Sequence, residues 1–437
     1  MNLMSNKVGT PLLFQYPKPN RTHWKILMFS LAGWIFDFYD LILYSFLMMP
    51  IQAEFGLTNM EVALVYGFSL LISAVGGVVF GIVADRLGRK TTLIFTLITY
   101  SAGTLLCAFS TNVFDLLIYR SITGFGVGGE WAVAQALVNE TFPPNFKGRA
   151  SAILQTGAPI GVGLSAVIGG FLMQSIGWRA SFFYSALPSF LVAFLMLKLL
   201  PESDLWLARH GRLETNLPAG RSTVVDGGFN FIHVNKPSIR QIFSSVNPKF
   251  LSLGTYVAIL GMMAYWLVFS WLPTYLTTQH GFDLATSGLW IILSQVGAAI
   301  GYLTFGVVAD RIGRRVAFSL YAGIQAIAVL MITVIWINVT VALVSIFLLG
   351  VGTGYFSGYG PLYAEVFPTD ARATASGLCF NVGRGMSFFA PLIIASVSLM
   401  FGMAGGMALA ILFNVLLGLS IWLFPETKGK ILDEGIL

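Results

Sequence analysis

Twelve long apolar runs decide what this chain can fold into. Their approximate limits are 25–50, 61–84, 91–110, 113–138, 149–173, 179–200, 251–277, 285–308, 316–336, 339–364, 374–398 and 402–424. Each is near the roughly 20 residues that a helix needs to cross about 30 Å of hydrocarbon. Lipid offers no hydrogen bonds, so a lone spanning segment satisfies its backbone as a helix. A membrane barrel is excluded, because its strands read as alternating segments of about ten residues. The chain has no means of hiding such runs. Of its 437 residues 56% are apolar and only 10% charged, where a soluble domain carries about 25% charged. A soluble enzyme, a disordered regulator and a fibrous protein are all excluded.

The runs fall into two related sets. Gly81-Ile-Val-Ala-Asp-Arg-Leu-Gly-Arg-Lys90 returns as Gly306-Val-Val-Ala-Asp-Arg-Ile-Gly-Arg-Arg315, seven of ten positions identical at an offset of 225. Glu140-Thr-Phe-Pro143 returns as Glu365-Val-Phe-Pro368 at the same offset, and Pro201-Glu-Ser as Pro425-Glu-Thr at 224. The expected organisation is an N-terminal tail (1–24), a six-helix half (25–200), a linker (201–250), a second six-helix half (251–424) and a C-terminal tail (425–437). The linker is polar and rich in Gly, Pro and basic residues, with a short helix expected near 239–243.

Six runs per half put both tails on one side. With that topology, all but Arg120, Arg179 and Arg384 of the 25 lysines and arginines share the side of the tails. Such a bias marks the cytoplasmic face. It also accounts for the net charge of +6 without invoking nucleic acid. Residues 1–23 contain no apolar core, so no cleavable leader is expected. Cys107 and Cys379 lie in apolar runs and read as packing residues rather than a disulfide.

Gly81-x-x-x-Asp-Arg-x-Gly-Arg-Lys90 between the second and third runs resembles the signature loop of the major facilitator superfamily, as does its repeat at 306–315. Arg120-x-x-x-Gly124-x-Gly126-x-Gly128-Gly129-Glu130, followed by Glu140 and Arg149, is similar to the motif on that family's fourth span. Pro-Glu-Ser and Pro-Glu-Thr after the sixth and twelfth runs match as well. The resemblance covers the whole chain. It implies an all-α membrane fold of two parallel six-helix halves, with a midplane site and alternating access. A monomer suffices for such a fold. Asp37-Phe-Tyr-Asp40 resembles the proton symporters of organic acids, in their aromatic-acid, sialate/lactate and metabolite groups. Where the aromatic-acid group carries Gly after the first Asp, this chain has Phe38. The resemblance further implies that Asp85, Arg86, Arg89, Asp310, Arg311 and Arg314 are conformational latches, the Asp meeting a helix end and the Arg an acid. Glu140, Arg149, Glu365 and Arg372 belong to the same system.

Charges within the runs are the sharpest functional signal, since each is costly in lipid. Asp37 and Asp40, three apart, share a helix face. Two such carboxylates resist double ionisation and titrate as a unit, which suits proton loading. Arg120 lies at a similar depth and is expected to pair with one of them until substrate or proton competes, and to join Arg384 in binding the substrate. Glu130, ten residues further on, is out of its reach and is expected either to relay protons or to brace the cytoplasmic gate. Arg384 sits between glycines with no acid at its depth in its own half. Its fork suits a substrate carboxylate, the alternative being a pair with Asp37 or Asp40 across the halves. Tyr39, Gln155, Trp266, Gln295, Tyr355, Tyr359 and Asn381 are expected at cavity depth. His23, His210, His233 and His280 all fall outside the runs, so no histidine relay is expected.

Gly124-Phe-Gly-Val-Gly-Gly129 fits a dinucleotide pattern but lies inside a run with no strand before it, and reads as helix packing. No nucleotide loop, nucleophile elbow or metal pattern occurs, so no cofactor, metal or enzyme activity is expected. The reading is a proton-coupled importer of a small organic monocarboxylate in a plasma or inner membrane. The alternatives are a sugar carrier, a drug or metabolite exporter, an anion exchanger and a non-transporting sensor.

Overall fold

All twelve runs are helical in the computed structural model, which describes residues 13–209, 222–225, 228–231, 246–368 and 372–426. Spans 1 to 4 are Arg21–Phe55, Asn59–Leu87, Arg89–Cys107 and Val113–Thr141. Span 5 covers 144–176 and span 6 covers 178–199, joined at Gly177. Span 7 is Pro248–Phe269 continued by Leu272–His280; spans 8 and 9 are Leu284–Ile312 and Arg314–Thr333. Span 10 joins Val339–Gly352 to Tyr359–Val366 through a tighter turn, Thr353–Gly358. Span 11 is Arg372–Met386 followed by 389–401, and span 12 is 403–420, joined at Gly402.

Among the described residues, eight helical stretches are long and apolar enough to cross a bilayer by composition alone. Two of them, Asn145–Leu199 and Thr374–Leu423, run to 55 and 50 residues. At about 1.5 Å per residue each is over twice as long as a ~30 Å core is thick, so each folds back and holds two spans. Spans 3 and 4 complete the twelve. They are less apolar, span 4 because it carries Asp115, Arg120 and Glu130.

The duplication is visible in the turns. Among the described residues, six glycines have positive φ, in three pairs at the offset of 225: Gly56 and Gly281 (65° and 67°), Gly88 and Gly313 (104° and 99°), Gly177 and Gly402 (79° and 68°). A Cβ is strained in that region, and glycine is not. Helix starts repeat too. Thr58 and Asp283 cap spans 2 and 8, and Asn112 and Asn338 cap spans 4 and 10. Each side-chain oxygen takes an N–H that the first turn leaves over.

Within each half, glycines let the second and fourth helices touch backbone to backbone. A Cβ on Gly124 would lie 2.1 Å from the Ser69 carbonyl oxygen, and one on Gly350 would lie 1.7 Å from that of Ser294. Gly128 is as tight, 1.7 Å from the Ser73 oxygen, whereas Gly163 has nothing within 4 Å. Overpacking costs about 1–3 kcal/mol and more where backbone must move. Gly128→Ala is therefore expected to lower the melting temperature in detergent by several degrees, with Gly163→Ala close to the parent.

The halves meet along spans 2 and 11 and along spans 5 and 8. A Cβ on Gly67 would lie 2.7 Å from the Phe388 carbonyl oxygen, and one on Gly170 would lie 3.2 Å from the Gly288 Cα. Both contacts lie toward the face opposite the tails. Span 7 reaches span 1 through its terminal segment Leu272–His280.

Some boundaries differ from expectation. Span 1 starts at Arg21 rather than 25, because Asn20 caps it in a box with His23. His23 is thus a buried residue of the first turn, and His280 ends span 7 stacked on Trp336 at 3.6 Å. The linker holds a helix, Asp204–Arg209, and an antiparallel pair of strands, Ser222–Val225 with Gly228–Phe231. The helix expected near 239–243 lies outside the described residues.

Candidate functional site

The intramembrane charges converge on span 1, from spans 4 and 11. Asp37 is fully buried, and its Oδ1 accepts a hydrogen bond from Arg384 Nη2 at 3.2 Å. This pair crosses from one half to the other. Three residues on, Asp40 Oδ2 accepts from Thr104 Oγ1 of span 3 at 2.6 Å, and Oδ1 lies 4.0 Å from Arg120 Nη1. Arg120 also donates to the Asp40 main-chain oxygen at 3.3 Å, and its guanidinium lies 5.2 Å from the centre of the Tyr44 ring. The two aspartates share a face as expected. Their carboxylates diverge, each to its own arginine.

Glu130 faces span 1 one turn closer to the tails. A Cβ on Gly33 would lie 1.9 Å from its Oε1, so glycine is needed there. Its Oε2 is 2.7 Å from Thr96 Oγ1, which is also 2.7 Å from the Leu93 carbonyl oxygen. Glu130 is fully buried, and Oε1 has no hydrogen-bond partner among the described residues. It does not reach the loop between spans 2 and 3, so it does not brace that loop. Asp40, Asp37 and Glu130 together form an acidic seam along span 1.

Beside the seam lies a small cavity between the halves, with room of about 30 Å³ for water-sized occupants. That holds one or two waters, so any organic acid requires the halves or the side chains to part. Arg384 and Gln155 line it, with Ala158, Met262 and seven aromatic rings. Trp34 and Phe38 form the wall from span 1; Tyr265 and Trp266 form the wall from span 7. Toward the tails it is closed by Trp131 of span 4 stacked on Phe380 of span 11, 4.4 Å between centres. Gln155 Oε1 holds the Trp131 indole N–H at 2.8 Å.

Of the expected cavity residues, Gln155, Trp266 and Arg384 line it, and others are used elsewhere. The Tyr39 hydroxyl bonds Ser185 on span 6. Gln295 donates to its neighbour Ser294. Asn381 packs on Gly77 of span 2, where a Cβ would lie 2.3 Å from its Oδ1. Tyr355 and Tyr359 belong to a ladder with Tyr363. Their hydroxyls donate to the main-chain oxygens of Gly261, Val257 and Gly254 at 3.0, 2.9 and 2.9 Å. One helical turn separates these tyrosines, so one face of span 10 is tied down span 7. The cavity wall is the next residue, Phe356. Phe380 was findable from sequence, because it sits 225 residues after Gln155. Trp34 and Phe38 had no comparable signal.

The loops are built as two copies of one clamp. Arg89 bonds Glu140 at 2.7 Å and pairs with Asp85 at 3.2 Å; Arg314 bonds Glu365 at 3.0 Å and Asp310 at 2.6 Å. The starts of spans 3 and 9 are capped by acids from further along the chain: Glu202 of Pro-Glu-Ser takes the Arg89 N–H at 2.8 Å, and Glu426 of Pro-Glu-Thr takes that of Arg314 at 2.8 Å. A carboxylate there satisfies free N–H groups and the positive helix end. Arg86 and Arg311 are exposed, and Arg149 lies over Phe146 at 5.7 Å. The Arg372 side chain lies outside the described part. On the opposite face, Glu54 binds Arg179, and the Trp178 indole donates to it at 2.6 Å.

Two duplicated helical halves enclosing a central cavity, with ion pairs in the membrane beside it, define a membrane carrier. Residues 29–391 and 259–434 match the model of the Major Facilitator Superfamily. A putative metabolite transport protein of Haemophilus influenzae is 32% identical over 418 residues, 95% of this chain and 99% of its own. A niacin transporter of Acinetobacter baylyi is 29% identical over 99% of both chains, and a sialic acid transporter of Escherichia coli is 26% identical over 95% and 97%. The inward-open xylose transporter of Escherichia coli superposes with a TM-score of 0.73 at 19% identity, covering 94% of this chain and 98% of that one. The chain belongs to the Major Facilitator Superfamily. It is a multi-pass membrane transporter and not an enzyme.

Proposed function

We propose that the protein imports a small organic monocarboxylate together with a proton, across a plasma or inner membrane, with the tail-bearing face in the cytoplasm. The observation that carries this reading is the buried Asp37–Arg384 pair, which joins the two halves beside the cavity. An arginine there is an anion site already filled by the protein's own carboxylate. A substrate carboxylate binds Arg384 by taking the place of Asp37. The displaced Asp37 would then be a lone buried charge, which is costly. Protonation removes that cost, so acid and proton bind together. Relatives named for niacin and sialic acid, both carboxylic acids, support the substrate class. The all-but-three bias of Lys and Arg toward the tails supports the orientation. The loop clamps, intact in both halves, hold spans 2, 3 and 4 and their counterparts as rigid bodies during rocking.

Glu130 is the next stop for the proton. Thr96 has one hydroxyl proton and two acceptors at 2.7 Å. Thr96 donates to Glu130, and no cation is paired with Glu130 among the described residues. A carboxylate so buried is costly, and protonation removes that cost, so Glu130 is read as a neutral acid. A neutral acid one turn below Asp37 can pass a proton toward the cytoplasm. Glu130→Gln is expected to keep exchange of labelled for unlabelled acid while slowing net proton-driven uptake at least about a hundredfold, the low end for a lost proton-transfer group. Net uptake equal to the parent would make Glu130 a packing residue only.

The test of the whole reading is proton influx into proteoliposomes, followed with an internal pH dye. Carboxylic acids are expected to acidify the lumen, and their amides and neutral sugars are not. Acidification by a neutral sugar alone would overturn it in favour of a sugar carrier. Uptake of labelled acid that needs internal anion and moves no proton would make it an exchanger.

A further inference from the structure

We propose that the central site is built for a flat, ring-bearing monocarboxylate, aromatic or heteroaromatic, and rejects polyhydroxylated acids. The inference rests on Arg384 being the anion site. Seven of the eleven cavity-lining residues are aromatic. Their rings meet edge to face on both walls: Trp34 with Phe38 at 4.9 Å and 78°, and Tyr265 with Phe356 at 5.6 Å and 83°. Phe38 and Tyr265 face one another across the halves at 6.5 Å and 88°. A planar ring fits such a slot by stacking or edge contact. It also needs the smallest opening, since its carbons sit about 3.5–4.0 Å from those of each wall, in a cavity that now holds a water or two.

The polar inventory points the same way. Gln155 has its oxygen committed to Trp131, and the Trp34 indole N–H is buried without a partner among the described residues. A sugar acid brings several hydroxyls, each needing a donor or acceptor, and most would face ring carbon. A stranded hydroxyl loses its bonds to water with nothing in return. One ring substituent or ring nitrogen, by contrast, matches the Trp34 indole donor. The duplication sharpens the point. The position equivalent to Asp37 in the second half is Met262, a lining residue, so the wall opposite the acidic seam offers apolar surface.

The test is isothermal titration of the full-length protein in detergent. The probes are benzoate, nicotinate, cyclohexanecarboxylate, glucuronate and a sialic acid. Benzoate and nicotinate are expected to bind at least tenfold tighter than cyclohexanecarboxylate, which has the same charge and a puckered ring. They are expected to bind at least 100-fold tighter than glucuronate or the sialic acid. Equal or tighter binding of either polyhydroxylated acid overturns the proposal, as does parity between benzoate and cyclohexanecarboxylate. The proton-coupling reading fails separately, when benzoate binds but the pH dye stays silent. Binding by no acid at all removes the anion site and this proposal with it. Phe356→Leu keeps the volume and removes a ring. It is expected to cut the preference for benzoate over cyclohexanecarboxylate at least threefold, and an unchanged ratio counts against the slot. Phe38→Leu repeats the reading from the other wall if that variant does not fold.

Discussion

Arg384→Gln is expected to lower acid uptake, measured as kcat/KM in proteoliposomes, by two to three orders of magnitude. The reasoning is electrostatic. Arg384 is only 3% exposed, and at its depth there is little water to replace it. A charged hydrogen-bonded partner removed from such a site costs about 2–5 kcal/mol of binding, and every ~1.4 kcal/mol is tenfold. The variant also leaves Asp37 buried without its cation. A carboxyl in that position becomes neutral rather than remaining charged, so the fold survives, and the loss falls mainly on substrate affinity. The double variant Asp37→Asn/Arg384→Gln separates these effects. It restores neutrality, so its melting temperature is expected to recover toward the parent, while acid uptake stays absent. Uptake by Arg384→Gln at unchanged KM would place the anion site elsewhere.

Asp37→Asn is expected to give the complementary result. Asn is a neutral stand-in for the protonated aspartate, so Arg384 is left free for an external carboxylate at any pH. Acid binding then no longer weakens as pH rises, and at alkaline pH it exceeds that of the parent. The link between acid and proton is broken, so accumulation against a gradient is lost, whereas counterflow of labelled for unlabelled acid persists. Equilibrium binding across pH and counterflow in vesicles read the two halves of the prediction. Full accumulation by this variant would move the coupling role to Asp40. Asp40→Asn is expected to differ, because Asp40 is tied to Thr104 and Arg120 within one half, with no hydrogen-bond or ion-pair partner from the other half among the described residues. Its loss disturbs the packing of spans 1, 3 and 4 around an unbalanced arginine rather than the exchange at Arg384.

The fold was readable because its signals are local or periodic. Length of apolar run, Lys and Arg bias, and repeats at an offset of 225 depend on the chain alone. The pairing of the loop arginines with acids was legible, but the capping of spans 3 and 9 was not. Glu202 and Glu426 cap them, 113 and 112 residues from the N–H groups they meet. Their motif was visible, since Pro-Glu-Ser and Pro-Glu-Thr recur, but nothing in the spacing told where they dock. The same limit applied to the cavity. Tyr355, Tyr359 and Tyr39 are polar aromatics at the right depth, yet their rotation about the helix axis turns them to neighbours. Depth follows from residue number, and azimuth does not.

What the sequence determined by itself is the solvent, the helix count, the duplication and the restriction of intramembrane acids to one half. Asp37, Asp40 and Glu130 are replaced at equivalent positions by Met262, Tyr265 and Phe356 or its neighbour. That asymmetry divides the labour between an acidic half and an aromatic one. What only the tertiary structure decided is which acid meets which arginine. Asp37 and Asp40 are one turn apart and chemically alike. One faces the other half and finds Arg384, 347 residues away, and the other faces inward to Arg120. The physical reason is that the energy of a buried charge depends on atoms within a few ångströms of it. Those atoms come from helices whose adjacency is fixed by glycine contacts far along the chain.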